Sequence, residues 1–170
     1  GSLHPWALSQ GIRFFVLLAG AIGLSYVPES VWKGGALPTY AIIVVSLLAV
    51  ELLGKVSGGS QRLLDLGFIR LQPSEFMKPA IVLACARFYE LLPPNETRRF
   101  GAIWPAAILI GLPAGLVMLQ PDLGTALMIT GGGLTVMFLA GVPLRLFVGG
   151  ALGLAVAAPL AVTYLLHDYQ

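Results

Sequence analysis

Charged residues are scarce in this chain of 170 residues: Asp, Glu, Lys and Arg make up 11% of it, whereas 57% is hydrophobic. Soluble domains carry about 25% charged residues, so the charged side chains are too few to cover a surface that faces water. The mean hydropathy of +0.87 agrees with this. The composition therefore excludes a soluble domain, a disordered chain and a coiled coil, and it indicates a membrane protein.

Basic clusters and metal-binding or disulfide-forming residues are also few. Ten Lys and Arg against eight Asp and Glu give a net charge of +2 without a polybasic stripe, so we expect no nucleic-acid partner. Cys85 is the only cysteine, which excludes an intrachain disulfide and is more typical of packing than of chemistry. His4 and His167 lie near the two ends without metal-ligand spacing, so no zinc site is predicted.

What the chain has instead is a series of long apolar runs, and a transmembrane helix needs about 20 such residues. We predict an all-α integral membrane protein, a polytopic helical bundle with about six transmembrane helices in a single domain. The predicted spans are 12–27, 36–53, 73–92, 102–119, 125–140 and 146–166, with an outer interfacial segment at 54–72. No initiator Met or signal peptide opens the chain, and we expect it to be part of a longer protein.

The basic loops predict an orientation. Successive spans cross the membrane in opposite directions, so three basic loops fall on the same face: those with Lys33, with Arg98 and Arg99, and with Arg145. The positive-inside rule predicts that this face is cytoplasmic. The segment 54–72 and the turn at 120–122 then face outward. Three basic residues in the outer segment violate the rule locally, so we expect them to have a partner or a function there: Lys55, Arg62 and Arg70.

The start of the third span carries the strongest candidates for chemistry. Pro73 suits the first helical position and Gln72 a cap, which places Ser74, Glu75 and Lys78 in the first turns. Glu75 and Lys78 are three residues apart and share a helix face. Ionisable residues inside a span are costly and are functional candidates by default. The alternative is a structural salt bridge that neutralises both charges.

Asp122 is the second candidate, and two interpretations remain open for it. It either contributes to a binding site or caps the fifth span through the N–H of Gly124 or Thr125.

The remaining features favour structural roles. Arg87 shares a helix face with Glu90, and Glu51 can pair with Lys55. Aromatic residues are interpreted as interface belts at three positions: Tyr89, Trp104 and Tyr164. Small residues are interpreted as helix-packing sites in two GxxxG pairs and one triplet: Gly111 with Gly115, Gly149 with Gly153, and Gly131 to Gly133.

Four motifs, taken together, resemble the SEDS family of cell-wall proteins. They are GSQR at 59–62, LDLG at 64–67, QPSEFMK at 72–78 and QPDLGTA at 120–126. The sequence HDYQ at 167–170 resembles the branch that serves cell elongation rather than division. The resemblance covers nearly the whole chain but only about half of the family's length.

The resemblance implies a peptidoglycan glycosyltransferase of the bacterial inner membrane. Such a protein polymerises lipid II into glycan strands at the outer face, for cell elongation and rod shape, together with a class B penicillin-binding protein. Its general base is expected to be an Asp in an outer loop beyond Gln170, so we expect this chain alone to be inactive.

Within the chain, the resemblance and the charges converge on one group of residues. Glu75 and Lys78 would have supporting catalytic roles, and the candidate substrate-binding residues are Arg62, Gln72, Ser74, Lys78 and Asp122. Lys78 or Arg62 would meet the phosphates of an undecaprenyl-pyrophosphate-linked glycan, while Glu75 orients Lys78 or helps to hold a divalent cation. No other cofactor is expected.

Two functions of other classes remain open. One is a flippase for the lipid-linked precursor, which also suits charges inside spans. The polar motifs gather at the predicted outer face rather than at the midplane, which argues against it. The other is a non-catalytic scaffold that activates a penicillin-binding protein.

Overall fold

Six α-helices and one pair of short strands form the computed structural model, which describes residues 4–53, 64, 65, 70–120 and 122–167. The helices are α1 (His4–Ser25), α2 (Glu29–Leu53), α3 (Pro73–Leu91), α4 (Phe100–Leu119), α5 (Leu123–Leu139) and α6 (Leu144–His167). The predicted fold class, a helical bundle of six apolar segments, is confirmed. Four helices are long and apolar enough to cross a membrane, namely α1, α2, α4 and α6, and α5 is a shorter apolar helix.

The strands β1 (Leu64–Asp65) and β2 (Arg70–Leu71) pair antiparallel, with Leu64 opposite Leu71. They lie in the segment predicted to rest on the outer interface, and its alternation of charged and apolar residues did not reveal the pairing. The rest of that segment, except Gln72, lies outside the described residues.

Five of the six helices begin earlier than the predicted spans, and α3 begins at Pro73 as predicted. α1 begins at His4 rather than at residue 12, and α2 begins at Glu29, which takes Trp32 and Lys33 from a predicted loop into its first turns. Hydropathy detects only the apolar part of a helix, whereas backbone hydrogen bonding continues into polar turns. Where the membrane boundary crosses each helix stays a prediction.

Helices α2 to α5 run antiparallel to their sequence neighbours. Lys33 in the first turns of α2 pairs with Glu90 in the last turn of α3, with 2.6 Å between Nζ and Oε1. Helices α4 and α5 are joined through residues 120–122 alone. At one end of the bundle, α2 and α4 therefore finish and α3 and α5 start, and we call it the motif end. At the opposite end lie the loops 26–28, 92–99 and 140–143.

The core lies among α2, α3, α4 and α5. Its largest fully buried apolar side chains are Leu47, Val50, Met77, Ile81, Cys85, Val117 and Ile129. Helix α1 has no buried residue, and the apolar window of α6 has none either. The burial of Cys85 fits the packing role predicted for it.

Glycine lets α4 and α5 approach closely, although not at the predicted pairs. A Cβ added at Gly133 would lie 2.5 Å from Cγ1 of Ile110, so the isoleucine fills the space that the missing side chain leaves. A Cβ at Gly111, Gly115, Gly149 or Gly153 would meet no described atom within 4 Å. Within the described residues, helix packing is therefore seen at Gly132 and Gly133, whereas Gly131 and the two GxxxG pairs meet no neighbouring atom and their packing role stays a prediction.

A hydrogen bond between α2 and α4 compensates for a proline. Pro113 has no N–H, so it cannot donate to the carbonyl of Leu109 one turn earlier. The hydroxyl of Tyr40 donates to that carbonyl over 2.5 Å. A free carbonyl is costly away from water, and the tyrosine therefore stabilises both the proline-containing turn and the contact between the two helices.

Tyr89 was wrongly assigned to an interface belt. Its side chain is only 8% exposed, and its ring centroid lies 5.2 Å from that of Phe88. It follows Cys85 by four residues and Ile81 by eight, which puts it on the core-facing side of α3. Trp104 and Tyr164 are exposed, as a lipid-facing or interfacial aromatic residue would be.

Candidate active site

The buried polar side chains gather at the motif end. Among the described residues these are Ser74, Gln120 and Thr125, which are 1%, 2% and 7% exposed. They lie at the start of α3, just after α4 and at the start of α5. Polar groups buried in an apolar bundle are costly unless they are hydrogen-bonded. This end is therefore the best candidate for a functional site.

The start of α3 is set by Pro73, which occupies the first helical position as predicted. Gln72 precedes it in an extended conformation, with φ −105° and ψ 102°. Gln72 is the N-cap residue, as predicted, but its side chain makes no cap hydrogen bond. Its Nε2 instead donates to Oγ of the buried Ser74 over 3.1 Å. The side chain of Gln72 thus holds the hydroxyl of Ser74 in place. Pro73 has no backbone N–H, so the helix start has one donor fewer for a cap to satisfy.

Glu75 and Lys78 form the predicted ion pair. Nζ of Lys78 donates to both carboxylate oxygens of Glu75, each over 2.9 Å. The two side chains are 52% and 26% exposed. Glu75 also lies in the first turn of α3, where the positive end of the helix dipole stabilises a carboxylate. An ammonium is thereby held in a defined place in the first turns of α3.

Asp122 caps α5, which is one of the two roles left open for it. Its Oδ1 accepts from the N–H of Thr125 over 3.2 Å, and its Oδ2 accepts from the hydroxyl of the same threonine over 2.9 Å. The backbone N–H of Asp122 donates to the carbonyl of Val117. These local bonds hold the turn between α4 and α5 and place its polar groups beside the start of α3.

Sequence reasoning did not single out Gln120 and Thr125. Both belong to the motif QPDLGTA, and a polar side chain between two strongly apolar helices was the signal that could have identified them. Arg62 and Lys55, which the sequence favoured, lie outside the described residues. In the part of the chain that the structure describes, no group of three or more His, Cys, Asp or Glu is placed to hold a metal.

A second charged cluster lies at the opposite end. Nζ of Lys33 lies 3.0 Å from Oε1 of Glu29 and 2.6 Å from Oε1 of Glu90, and Arg87 pairs with Glu90 over 2.8 Å. Sequence spacing indicated Arg87 with Glu90, whereas the bond from Lys33 crosses from α2 to α3 and has no local signal. The cluster holds the two helices side by side.

The chain as a whole is similar to known proteins. The model of the family described as cell cycle protein, which groups FtsW, RodA and SpoVE, matches residues 2–170. The chain belongs to this family. Over 165 residues it is 40% identical to the peptidoglycan glycosyltransferase MrdB of Escherichia coli K12, which covers 96% of this chain and 42% of MrdB.

Two solved structures support membership of the FtsW, RodA and SpoVE family. A chain from a structure titled for the coordination of polymerization and crosslinking by a peptidoglycan synthase complex matches with a TM-score of 0.76 and 31% identity, over 90% of this chain and 45% of that one. The rod shape determining protein RodA of Thermus thermophilus matches with a TM-score of 0.69 and 30% identity, over 87% of this chain and 48% of that one.

The resemblance to the SEDS family noted from the sequence is thus confirmed, and a rod shape determining protein is among the matched structures. The apolar helices together with the family make the chain a multi-pass protein of the bacterial inner membrane. It spans about two fifths of the length of the E. coli relative.

Proposed function

We propose that this chain forms part of a peptidoglycan glycosyltransferase that polymerises lipid II into glycan strands for cell elongation. The observation that carries the proposal is the ion pair of Glu75 and Lys78 at the motif end. The name of the E. coli relative and the family match support the reaction class. The chain would supply the charged edge of the site and its membrane scaffold.

Lys78 is proposed to contact the pyrophosphate of the donor. An ammonium has three N–H donors, and Glu75 accepts from Nζ with both carboxylate oxygens. The partial exposure of Lys78 leaves a side of the ammonium open to a phosphate. When the acceptor hydroxyl attacks the sugar carbon, the bond to the pyrophosphate breaks and negative charge grows on the leaving group. A fixed cation stabilises that charge without having to reorganise.

The general base that removes the acceptor proton is proposed to lie beyond Gln170. Ser74 and Gln72 would hold the first turn of α3 rather than contact the substrate, because the serine is buried and bonded to the glutamine. Asp122 would hold the neighbouring turn through Thr125. Arg62 is proposed as a second cation for the phosphates. A divalent cation held in part by Glu75 remains part of the proposal.

A class B penicillin-binding protein is the proposed partner, since it would crosslink the strands that the glycosyltransferase makes. The match to a chain of a peptidoglycan synthase complex supports a partner of this kind.

The test is strand synthesis from lipid II in liposomes, with the chain carried in a protein of the relatives' full length. We expect Lys78→Ala and Glu75→Gln each to lower the rate by about 10²-fold, the usual cost of losing one preorganised electrostatic contact. Glu96→Gln is the matched control, because Glu96 is a carboxylate at the opposite end, 3.7 Å from Arg99. Unchanged synthesis in both motif-end variants would contradict the proposed site.

Lipid translocation measured in the same liposomes separates the competing functions. A flippase would move lipid II without polymerising it, and a scaffold would do neither while raising the activity of an added penicillin-binding protein. Strand synthesis by the protein without that partner would contradict both alternatives.

A further inference from the structure

Two loops at the opposite end line an open polar cavity of about 550 Å³. It is lined by Asn95, Thr97 and Arg98 from the α3–α4 loop and by Ala140 and Gly141 from the end of α5. None of these residues carries a negative charge. Arg98 is exposed, and no acidic side chain lies within 4 Å of it among the described residues. The cavity therefore offers a cation together with amide and hydroxyl groups.

The backbone of both loops is fixed by local bonds. Gly141, with φ +103°, ends α5: its N–H donates to Phe138, and the N–H of Val142 donates to Met137. This is the Schellman arrangement, in which glycine adopts the left-handed conformation at little cost. A Cβ at Gly141 would lie 3.9 Å from Oγ1 of Thr97, so the two loops lie close together. The cavity is therefore a built feature of the fold.

An apolar groove of about 520 Å³ lies close to the polar cavity. Gly141 lines the cavity, and Val142, the next residue, lines the groove. The groove lies between α4, α5 and α6, and its walls include Ile103, Gly111, Leu134, Phe147 and Leu154. From Ile103 to Gly111 it extends by roughly 12 Å at 1.5 Å per residue. That is close to the thickness of one leaflet, about half of a hydrocarbon core of roughly 30 Å.

We propose that the cavity and the groove together bind one anionic phospholipid of the leaflet at the opposite end. The phosphate would accept from Arg98, Asn95 and Thr97, and one acyl chain would lie in the groove. Charge complementarity selects this occupant, because Arg99 and Arg145 lie at the same end and Glu96 is the one acidic residue of the 92–99 loop. The positive-inside rule predicts this leaflet to be cytoplasmic, where anionic headgroups attract basic loops.

The first test compares dioleoyl phosphatidylglycerol with dioleoyl phosphatidylethanolamine, which share their acyl chains. Binding to this chain, carried in a protein of the relatives' full length in detergent micelles, is measured by native mass spectrometry. We expect phosphatidylglycerol to bind about tenfold more tightly, because both lipids offer a phosphate but the ammonium of phosphatidylethanolamine would be repelled by the guanidinium of Arg98. Arg98→Gln should abolish the preference and Arg98→Lys should keep part of it. Arg99→Gln is the matched control, since Arg99 does not line the cavity, and it should keep the preference.

The second test fills the groove. Gly111 lines it and Gly115, one turn further along α4, does not, and a Cβ at either meets no described atom within 4 Å. Gly111→Leu should weaken binding of both lipids roughly fivefold, the cost of displacing one or two methylene groups, whereas Gly115→Leu should not. The helical circular dichroism of each variant checks its fold.

Three results would overturn the proposal. Equal binding of the two lipids would exclude recognition of an anionic headgroup and so contradict the proposed occupant. Equal losses in Arg98→Gln and Arg99→Gln would indicate a diffuse basic surface. A loss in Arg98→Gln without one in Gly111→Leu would indicate a phosphate site that holds no acyl chain.

Discussion

The Asp122 side chain caps α5, and this capping role can be tested separately from the role of its negative charge. Asn offers the same acceptor to the N–H of Thr125, whereas Ala offers none. We expect Asp122→Ala to lower the free energy of unfolding by about 1 kcal/mol and Asp122→Asn to lower it by less than about half of that. Unfolding of the purified chain in mixed detergent micelles measures both.

An equal loss in the two variants would contradict a capping role and indicate that the negative charge itself is needed. The same substitution can be made in a full-length protein. If the Asp122→Asn protein folds normally but no longer synthesises strands, Asp122 contributes to substrate binding.

Single residues were predictable where their partners are local. The pair of Glu75 and Lys78 follows from a spacing of three on one helix, and the cap by Asp122 follows from the preference of Asp for helix starts. The bond between Lys33 and Glu90 joins residues that are far apart in the sequence. Gln120 is 2% exposed although it is polar and directly follows α4, which its place in the sequence does not indicate. Neither could be read without the tertiary arrangement.

At the scale of elements, Tyr40 of α2 and Pro113 of α4 are linked through the carbonyl of Leu109, and the energetic coupling between them can be measured. Tyr40→Phe leaves the carbonyl of Leu109 without its hydroxyl donor and should cost about 1–3 kcal/mol. Pro113→Ala restores an N–H that can donate to the same carbonyl. We therefore expect Tyr40→Phe to cost clearly less in the Pro113→Ala background, and a double-mutant cycle of unfolding free energies gives the difference.

The exposed Tyr164 supplies the control for this cycle. Tyr164→Phe should change the unfolding free energy by less than about 0.5 kcal/mol, as most surface substitutions do. A cost of Tyr40→Phe that is the same in both backgrounds would mean that the hydroxyl does not act through the proline-containing turn.

Elements were predictable in number and class, because each apolar run is long enough for a helix. Their packing was not. From the sequence, Gly111 and Gly133 were both interpreted as helix-packing sites. In the structure, Gly133 contacts Ile110, whereas Gly111 lines an open groove. The difference depends on which face of α4 turns toward α5. The strand pair at 64–65 and 70–71 was also missed, since two-residue strands carry no periodic signal.

At the scale of the whole molecule, the antiparallel order of α2 to α5 brings both long motifs to one end and the basic loops to the other. The sequence predicted this separation by alternating the spans. Which end faces the cell exterior rests on the charge rule alone. That choice decides whether the candidate active site meets the outer face and the proposed lipid site meets the inner leaflet.

Labelling of single cysteines in bacterial spheroplasts tests that orientation. Cys85 is the only cysteine and is fully buried, so Cys85→Ala gives a cysteine-free background. Leu123→Cys places a thiol at the exposed start of α5, and Asn95→Cys places one in the opposite loop. We expect a membrane-impermeant maleimide to label the cysteine at 123 in intact spheroplasts and the one at 95 only after permeabilisation. The reverse pattern would put the Glu75–Lys78 pair on the cytoplasmic side, where polymerisation at the outer face could not use it.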